Sequence, residues 1–448
     1  MIKISIPQAA REILTTLHQA GYEAYIVGGC VRDALLLREP DDWDITTNAS
    51  PVKIKQLFSH TVDTGLQHGT VTVLKDKVGY EVTTYRVDGE YKDHRRPDKV
   101  TFTSDLKEDM LRRDFTINAM AYNEEEGLID HFHGQDDLRL GIIRCVGEAG
   151  KRFDEDALRV LRALRFAAQL DFQIEEMTLA AMKEKAFFLR DISAERIRVE
   201  LTKLLCSKHP ECLLTIGYPT GITSLLMPWF DDMLHTTQEN PHHCYDVGRH
   251  TMRAVCQVDN SVVLRFAALL HDVGKPSCKT VDDEGVAHFY EHGSVGAKMA
   301  QQIMRELKFD NETIKRVREL VYWHDYRWGD KLSKRGVRRA TAKIGMEYMH
   351  DLFALQQADV LAQSQFLQNE KLQLLDAIKL CYSEIEKEQQ CVTIKQLALG
   401  GQDLIAAGMK PGREIGDMLQ YLLEQVIEQP EWNTRDKLME LVRAQHLS

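Results

Sequence analysis

Apolar residues Ile13, Leu14 and Leu17 fall on one face of a helical turn, so residues 8–20 predict an amphipathic helix at the start of the chain. Tyr25-Ile26-Val27 reads as a strand running into Gly28-Gly29. A helix is expected from Val31 to Leu37, stopped by Pro40, and extended structure resumes from Trp43 to Thr46. Thr70–Leu74 and Tyr80–Arg86 are β-rich runs joined through Asp76-Lys77, which predicts a hairpin. After Asp154 the strand signals fade and the pattern becomes helical. The reading is an α/β head with a mixed sheet, followed by an all-helical body. Boundaries are expected near residue 150, in the stretch Pro219–Pro228, and near residue 390, where polar Glu386–Gln390 precedes Gly400, Gly401, Gly408 and Gly412. Four segments result: a head at 1–150, a helical neck at 151–230, a helical domain at 231–390 and a helical tail at 391–448.

Composition changes this picture little. A chain of 448 residues, 44% hydrophobic and 28% charged, suits a globular protein of about two to four domains. The best apolar run, Val262 to Leu270, is interrupted by Arg265, and the N-terminal Met-Ile-Lys-Ile-Ser-Ile-Pro lacks the apolar core of a secretory signal. A cytoplasmic location without a membrane partner is expected. The nine cysteines contain no C-x-x-C pair and read as reduced thiols. Net charge is −11, yet basic residues cluster at Lys92, Arg95, Arg96 and Lys99, at Arg112 and Arg113, and at Lys151, Arg152, Arg159, Arg162 and Arg165. An acidic protein with a local basic channel binds RNA weakly elsewhere, which suits an enzyme that releases its product.

Candidate chemistry begins at Asp42-Trp43-Asp44. Two carboxylates at i and i+2 of a strand share a face and repel unless a cation sits between them, and hard oxygen ligands favour Mg²⁺. Two such ions activate a hydroxyl and stabilise a leaving phosphate. Upstream, Gly28-Gly29-Cys30-Val31-Arg32-Asp33 stands at a strand-to-helix junction, where glycines admit a phosphate and Arg32 clamps it. Glu81 lies on a later strand with a carboxylate able to join the site. Residue by residue, an exposed turn, a plain Gly-Gly turn and a solvated strand glutamate fit as well.

Together these blocks narrow the field. Gly28-Gly29-x-x-Arg32-Asp33 with Asp42-x-Asp44, then Arg112-Arg113-Asp114-Phe115-Thr116-Ile117-Asn118-Ala119-Met120-Ala121, then Glu155-Asp156-x-x-Arg159 within Asp154–Phe166, resemble the polymerase-β-like nucleotidyltransferases. Within them the chain resembles the class II tRNA nucleotidyltransferase and bacterial poly(A) polymerase family, over roughly residues 20–210. One block departs: the family's Asp-Pro-Phe-x-Gly is here Asp130-His131-Phe132-His133-Gly134, ahead of Asp137-Leu138. The resemblance implies that Asp42 and Asp44 hold Mg²⁺ with help from Glu81. It implies a nucleotide pocket of Gly29, Arg32, Arg113, Arg159, Arg162 and Arg165, with Asp156 and Arg159 reading the base-pairing edge of C or A in place of a template. The implied reaction is attack of the tRNA 3′-hydroxyl on the α-phosphate of CTP or ATP, with tRNA, ATP and CTP as partners and no protein partner. On a helix from Asp154 to Leu170, Asp156, Arg159 and Arg162 share one face, Leu161, Leu164 and Ala168 the other, and Arg165 drifts to the apolar side. The loop Arg86–Lys107 carries Asp88, Glu90, Lys92, Asp93, Arg95 and Arg96, and its full length speaks against a family member that stops at CC. A-only addition and poly(A) synthesis stay open.

The second candidate is His271-Asp272, at the end of the apolar helix Leu264–Leu270 and ahead of Val-Gly-Lys-Pro. With His250 upstream and His292, His324 and Asp359 downstream, it resembles the HD phosphohydrolase superfamily. That resemblance implies a core of His250, His271, Asp272 and Asp359, a second metal position at His292 and His324, a divalent transition metal, and a phosphate partner in Lys275. Phosphate-ester hydrolysis at damaged tRNA ends, such as 2′,3′-cyclic phosphates, is the implied activity. His242 and His243 have no assigned role. Three alternatives stand beside it: an HD fold kept as scaffold, an HD-type nucleotide hydrolase whose head senses nucleotides, and a non-enzymatic RNA-binding scaffold. In the tail, a helix N-terminus near Gly412–Gly416 offers N–H groups to a backbone phosphate.

Overall fold

The computed structural model describes residues 3–89, 100–239, 242, 244–329 and 332–446. Glu90, Lys92, Asp93, Arg95, Arg96, Lys99 and His243 lie outside the described residues. The chain divides into two units, Met1–Asp231 and Asp232–Ser448.

In the first unit, Gln8–Gln19 is helical and buries Ala10, Ile13, Leu14 and Leu17 at the i, i+3, i+4, i+7 spacing that lines one face. The head sheet is built from β1 (Ala24–Val27), β2 (Ile45–Thr47), β3 (Thr61–Gly65), β4 (Thr70–Lys75) and β5 (Val78–Thr84). A short antiparallel pair, β6 (Arg86–Asp88) and β7 (Val100–Phe102), stands apart, and β8 (Ala121–Asn123) and β9 (Gly127–Ile129) rejoin the main sheet. The seven-stranded order is β3-β4-β5-β2-β1-β8-β9. Every pairing is antiparallel except β2 with β5, where Ile45 meets Val82 and Thr47 meets Thr84. β1 is buried on both faces: Ala24 and Ile26 enter one core with Ile13 and Leu17, while Tyr25 and Val27 enter another with Tyr85 and Met110. A strand covered on both sides has no polar face, which is why β1 reads as a continuous apolar run.

Two local expectations are corrected. Asp42, Trp43 and Asp44 precede β2 instead of lying in it, so strand alternation does not place their side chains. The single helix expected over Asp154–Leu170 is two helices, Ala149–Glu155 and Leu158–Leu170. Asp156 interrupts them in an extended conformation (φ −141°, ψ 103°), and its carboxylate accepts from the Leu158 N–H at 3.1 Å. A short acidic side chain satisfies the free donors of a helix start better than it continues a helix. The helices Glu176–Lys185 and Ala194–Leu205 follow.

The Asp130–Gly134 loop is closed without the family's proline: the Asp130 carboxylate accepts from the Gly134 and Gln135 N–H groups at 2.8 and 2.9 Å. Asp137 is buried against the Thr116 hydroxyl at 2.6 Å and Arg144 at 3.1 Å.

The second unit is helical apart from one hairpin, Lys279–Val281 with Ala287–Phe289. Its site is carried by the helices Val247–Gln257, Val262–Leu270, His292–Glu306, Asn311–Trp323 and Met346–Ala362. A Cβ at Gly274 would lie 2.4 Å from the His292 carbonyl oxygen, so only glycine lets the chain after Asp272 approach the start of that helix. The tail packs a small core of its own around Leu404, Leu422, Val426 and Leu438. Among the described residues no helix is long and apolar enough to cross a membrane.

Candidate functional site

Parallel pairing of β2 with β5 decides the first site. Ile45 and Val82 are register partners, so the residues just before them, Asp44 and Glu81, sit side by side where the chain enters β2. A pocket of about 370 Å³ is lined by Asp42, Trp43, Asp44, Thr72, Gly79 and Glu81. Thr72 faces Glu81 across the β4–β5 ladder. Protein crowding on its inner side, aided by the Glu81 and Asp42 charges and opposed by Arg113, raises the Asp44 pKa. The three carboxylates share the pocket without converging as a tight ligand set. Among the described residues, groups of three ligand atoms within 4.8 Å of one another occur only in the second unit.

The Gly28-Gly29 turn is bound to the same place. The Asp44 carbonyl accepts from the Val27 N–H at 3.0 Å. Gly28 has φ +82°, and a Cβ there would stand 2.9 Å from Arg113 Nη1, so glycine makes room for that guanidinium. Burial, against the pull of Asp109, lowers the Arg113 pKa. Arg113 is therefore a cation packed against the Gly28 turn and within electrostatic reach of Asp44.

Behind it runs a chain of buried charges. Arg32 donates to Asn118 Oδ1 at 2.7 Å and to Asp33 at 2.7 and 2.9 Å. Asn118 donates to Asp114 Oδ1 at 3.1 Å, and Arg162 donates to Asp114 Oδ2 at 2.6 Å. Arg162 then stands 3.6 Å from Glu200, which meets Arg165 at 2.6 Å. Burial alone would raise the Asp114 carboxyl; Arg162, Asn118 and Arg159 together outweigh it and hold it well below the usual range. Burial pushes Arg165 down to about 10 despite Glu200. The Phe166 ring lies under three guanidinium groups, at 5.0 Å from Arg32, 5.3 Å from Arg162 and 3.9 Å from Arg165. Arg32, Arg162 and Arg165 are thus brought together.

Asp156 and Arg159 are placed differently from the shared helical face expected of them. Asp156 pairs with Arg196 at 2.7 Å. Arg159 donates to Glu155 at 2.6 Å, to the Arg152 carbonyl at 3.0 Å and to the Arg112 carbonyl at 2.8 Å. Both side chains are fixed by neighbours, which suits groups that present a set pattern of donors and acceptors. The sequence reading missed Phe166 and Glu200. For Glu200 a signal existed: it occupies the apolar stripe Ile197, Leu201, Leu204 of its helix, and an acid in such a stripe requires a buried partner. Nothing in the pattern distinguished Phe166 from an ordinary core ring.

The second site is a converging set of acceptors. His250 Nε2 lies 2.9 Å from Asp359 and 3.6 Å from Asp272, and His271 Nε2 lies 3.1 Å from Asp272. On the other side of Asp272, His292 and His324 approach its Oδ1 at 3.6 and 3.5 Å, with their Nε2 atoms 3.0 Å apart. Each ring is anchored through Nδ1 to a backbone carbonyl: His250 to Ala362 (3.3 Å), His271 to Ala268 (2.8 Å), His292 to Phe289 (2.7 Å) and His324 to Val321 (2.7 Å). With the proton on Nδ1, the four Nε2 atoms are acceptors lying 3.1–3.6 Å from Asp272, His250 also close to Asp359, an arrangement that fits a cation. Asp272 itself belongs to both groups, His250-His271-Asp272 and Asp272-His292-His324. Lys275 lines the adjoining cavity of about 540 Å³. Its ammonium is engaged by Asp272 and by the Gln238 side-chain oxygen, each at 2.8 Å.

Comparison with known proteins agrees with this layout. A family model described as the poly A polymerase head domain matches residues 24–144. Models described as a probable RNA and SrmB-binding site of polymerase A and as tRNA nucleotidyltransferase domain 2 match residues 171–234 and 282–442. The CCA-adding enzyme of Limosilactobacillus reuteri is 52% identical over 218 residues, a match spanning 49% of this chain and about half (54%) of that protein. The CCA-adding enzyme of Limosilactobacillus fermentum is 37% identical over 426 residues, covering 94% of this chain and 92% of that protein. The solved Bacillus stearothermophilus CCA-adding enzyme in complex with CTP is 27% identical, with a TM-score of 0.69 and 98% of each chain covered. A likeness that runs through head, neck and tail at this identity leaves one assignment: the chain belongs to the CCA-adding enzyme family of tRNA nucleotidyltransferases.

Proposed function

We propose that this chain adds CCA to the 3′ end of tRNA, without a template, from CTP and ATP. The observation that carries the reading is the β2–β5 register, which sets Asp44 beside Glu81, with Asp42 in the same pocket and Arg113 packed against the Gly28 turn. The family match and the relative solved with CTP support it. The residues present fit Mg²⁺: three hard carboxylates, one with a pKa already raised by crowding and by the other two, are relieved by a divalent cation. When bound, two such ions supply the charge that favours an ionised attacking oxygen and a departing pyrophosphate. The 3′-hydroxyl oxygen of tRNA forms a bond to the α-phosphorus, the bond to the β-phosphate bridge breaks, and pyrophosphate leaves. The Gly28-Gly29 turn, Arg113 and Arg32 orient the triphosphate, and Asp156 and Arg159, each held by neighbours, present acceptor and donors to the base. An A-adding-only enzyme or a poly(A) polymerase is the alternative. Three tRNA transcripts, ending before CCA, after C and after CC, given CTP, ATP or both, separate these by product length. Incorporation that survives Asp42→Ala and Asp44→Ala overturns the reading.

The His/Asp centre favours a second activity, a metal-dependent phosphohydrolase of the HD type acting on phosphate esters such as damaged tRNA ends. Its support is the anchoring of four imidazoles through Nδ1, which leaves the Nε2 atoms as acceptors near Asp272. The donor set fits a divalent transition metal, which when bound lowers the pKa of a coordinated water. Phosphate release that is lost in Asp272→Asn while nucleotide incorporation persists tests it. Phosphatase activity without incorporation would instead support a nucleotide hydrolase with a sensing head.

A further inference from the structure

A second cavity, of about 350 Å³, lies against the His/Asp centre and shares His324, Asp325, Tyr326, Arg327, Asp359 and Gln363 with the first. Its character differs. One wall is apolar, formed by Trp328, Leu374, Leu375 and Ile378. Trp328 is fixed in place: its Nε1 donates to Gln356 Oε1 at 3.0 Å, and its ring lies 5.1 Å from Tyr326 and 5.6 Å from Phe353. The buried Gln356 amide donates in turn to the His324 carbonyl at 2.9 Å, so the orientation of the indole is tied to that of a ligand-bearing segment.

Lys371 and Arg327 also line this cavity, and no ion pair of either occurs among the described residues. Lys371 Nζ donates to Gln363 Oε1 at 2.6 Å and contacts His242 Nδ1 at 3.1 Å, and it feels Asp359 and Asp325 from further off. Gln363 joins it to the centre by donating to Asp359 at 3.2 Å. An aromatic wall accepts a planar ring, and two cations without ion pairs accept an anion.

Resting on the phosphohydrolase reading, we propose that the second cavity is a nucleoside subsite of the His/Asp centre. The base packs on Trp328, a second phosphate pairs with Lys371 and Arg327, and the preferred substrate is a ribonucleotide with phosphate at both ends of its sugar. Water adds to the phosphorus at the His/Asp centre, the bond from phosphorus to the ribose oxygen breaks, and that oxygen leaves as a hydroxyl carrying the water's proton. A free nucleoside bisphosphate and the phosphate-terminated last nucleotide of an RNA chain present this same chemistry.

The test uses the full chain with Mn²⁺ and compares adenosine 3′-monophosphate, adenosine 3′,5′-bisphosphate and a short oligoribonucleotide ending in a 3′-phosphate. The expected kcat/KM for the bisphosphate exceeds that for the monophosphate by about tenfold. Lys371→Met and Arg327→Gln bring that ratio close to one, the exposed Arg327 serving as the position where folding is not at stake. Faster release from the oligonucleotide than from the free bisphosphate identifies an RNA end as the source, and slower release identifies the free nucleotide. Binding, followed by tryptophan fluorescence in Asp272→Asn, separates the two layers. A bisphosphate preference in binding without turnover in the wild type keeps the subsite and removes the phosphohydrolase reading. Equal affinity for mono- and bisphosphate, or a ratio unchanged by both substitutions, overturns the subsite.

Discussion

Glu200→Ala tests whether the neck's buried charges behave as a unit. Glu200 and Arg165 are 6% and 7% exposed at their side chains and meet at 2.6 Å. Arg162 keeps Asp114 when Glu200 is removed, but Arg165 loses its only carboxylate partner among the described residues. Stranding a buried cation costs about 3–5 kcal/mol, a large share of the roughly 5–15 kcal/mol that holds a domain folded. Glu200→Gln keeps an acceptor and is expected to lose about half as much. Urea unfolding followed by far-ultraviolet circular dichroism reads the loss as a midpoint lower by about 1–2 M. Hydrogen exchange over Leu158–Leu170 and Ala194–Leu205 localises it to the first unit. Replacing both partners, as Arg165→Met with Glu200→Leu, restores most of the stability, because an apolar pair carries no desolvation penalty. Nucleotide incorporation is not restored, since a guanidinium beside Phe166 is gone. A loss below about 1 kcal/mol in Glu200→Ala, or a double variant as unstable as the single one, refutes the reasoning.

Asp44→Asn lowers incorporation by about 10²–10³-fold or more, measured with labelled CTP. The same substitution raises the melting temperature of the metal-free protein at pH 7, because the folded Asp44 pKa lies above its ordinary value and its ionised form opposes folding. Asp114 has the opposite sign. Its folded pKa lies below the unfolded value, so its contribution is complete above about pH 4 and fades as pH falls further, a loss that Asp114→Asn removes from the acid limb of the stability curve. Gly28→Ala forces a side chain onto φ +82° and against Arg113, costing about 1–2 kcal/mol by denaturation and raising KM for CTP and ATP. Mn²⁺ at about 100 times its dissociation constant stabilises the second unit by about 2.7 kcal/mol in calorimetry, an effect that a chelator reverses and Asp272→Asn abolishes.

Sequence alone determined the elements whose pattern repeats over a turn or a strand. The helix Gln8–Gln19 was legible because a covered face leaves a fixed spacing. The β4–β5 hairpin and β1 were legible because β-rich runs ended at turn residues. The acidic, glycine and histidine blocks stood out as candidate chemistry only in combination, through their resemblance to known families, since each block alone fits a turn or a solvated residue equally well. What the sequence did not contain was pairing. Asp44 and Glu81 are distant in the chain, and only the parallel β2–β5 register makes them neighbours. The break at Asp156 was missed because its capping bond to Leu158 competes with helix continuation, a contest that helical periodicity does not record. The Arg32–Asn118–Asp114–Arg162–Glu200–Arg165 chain draws on four segments. The His/Asp centre closes because Gly274 lets the His292 helix approach Asp272. Local free energies are written along the chain, whereas the attraction between buried opposite charges depends on distances that exist only once the elements have packed.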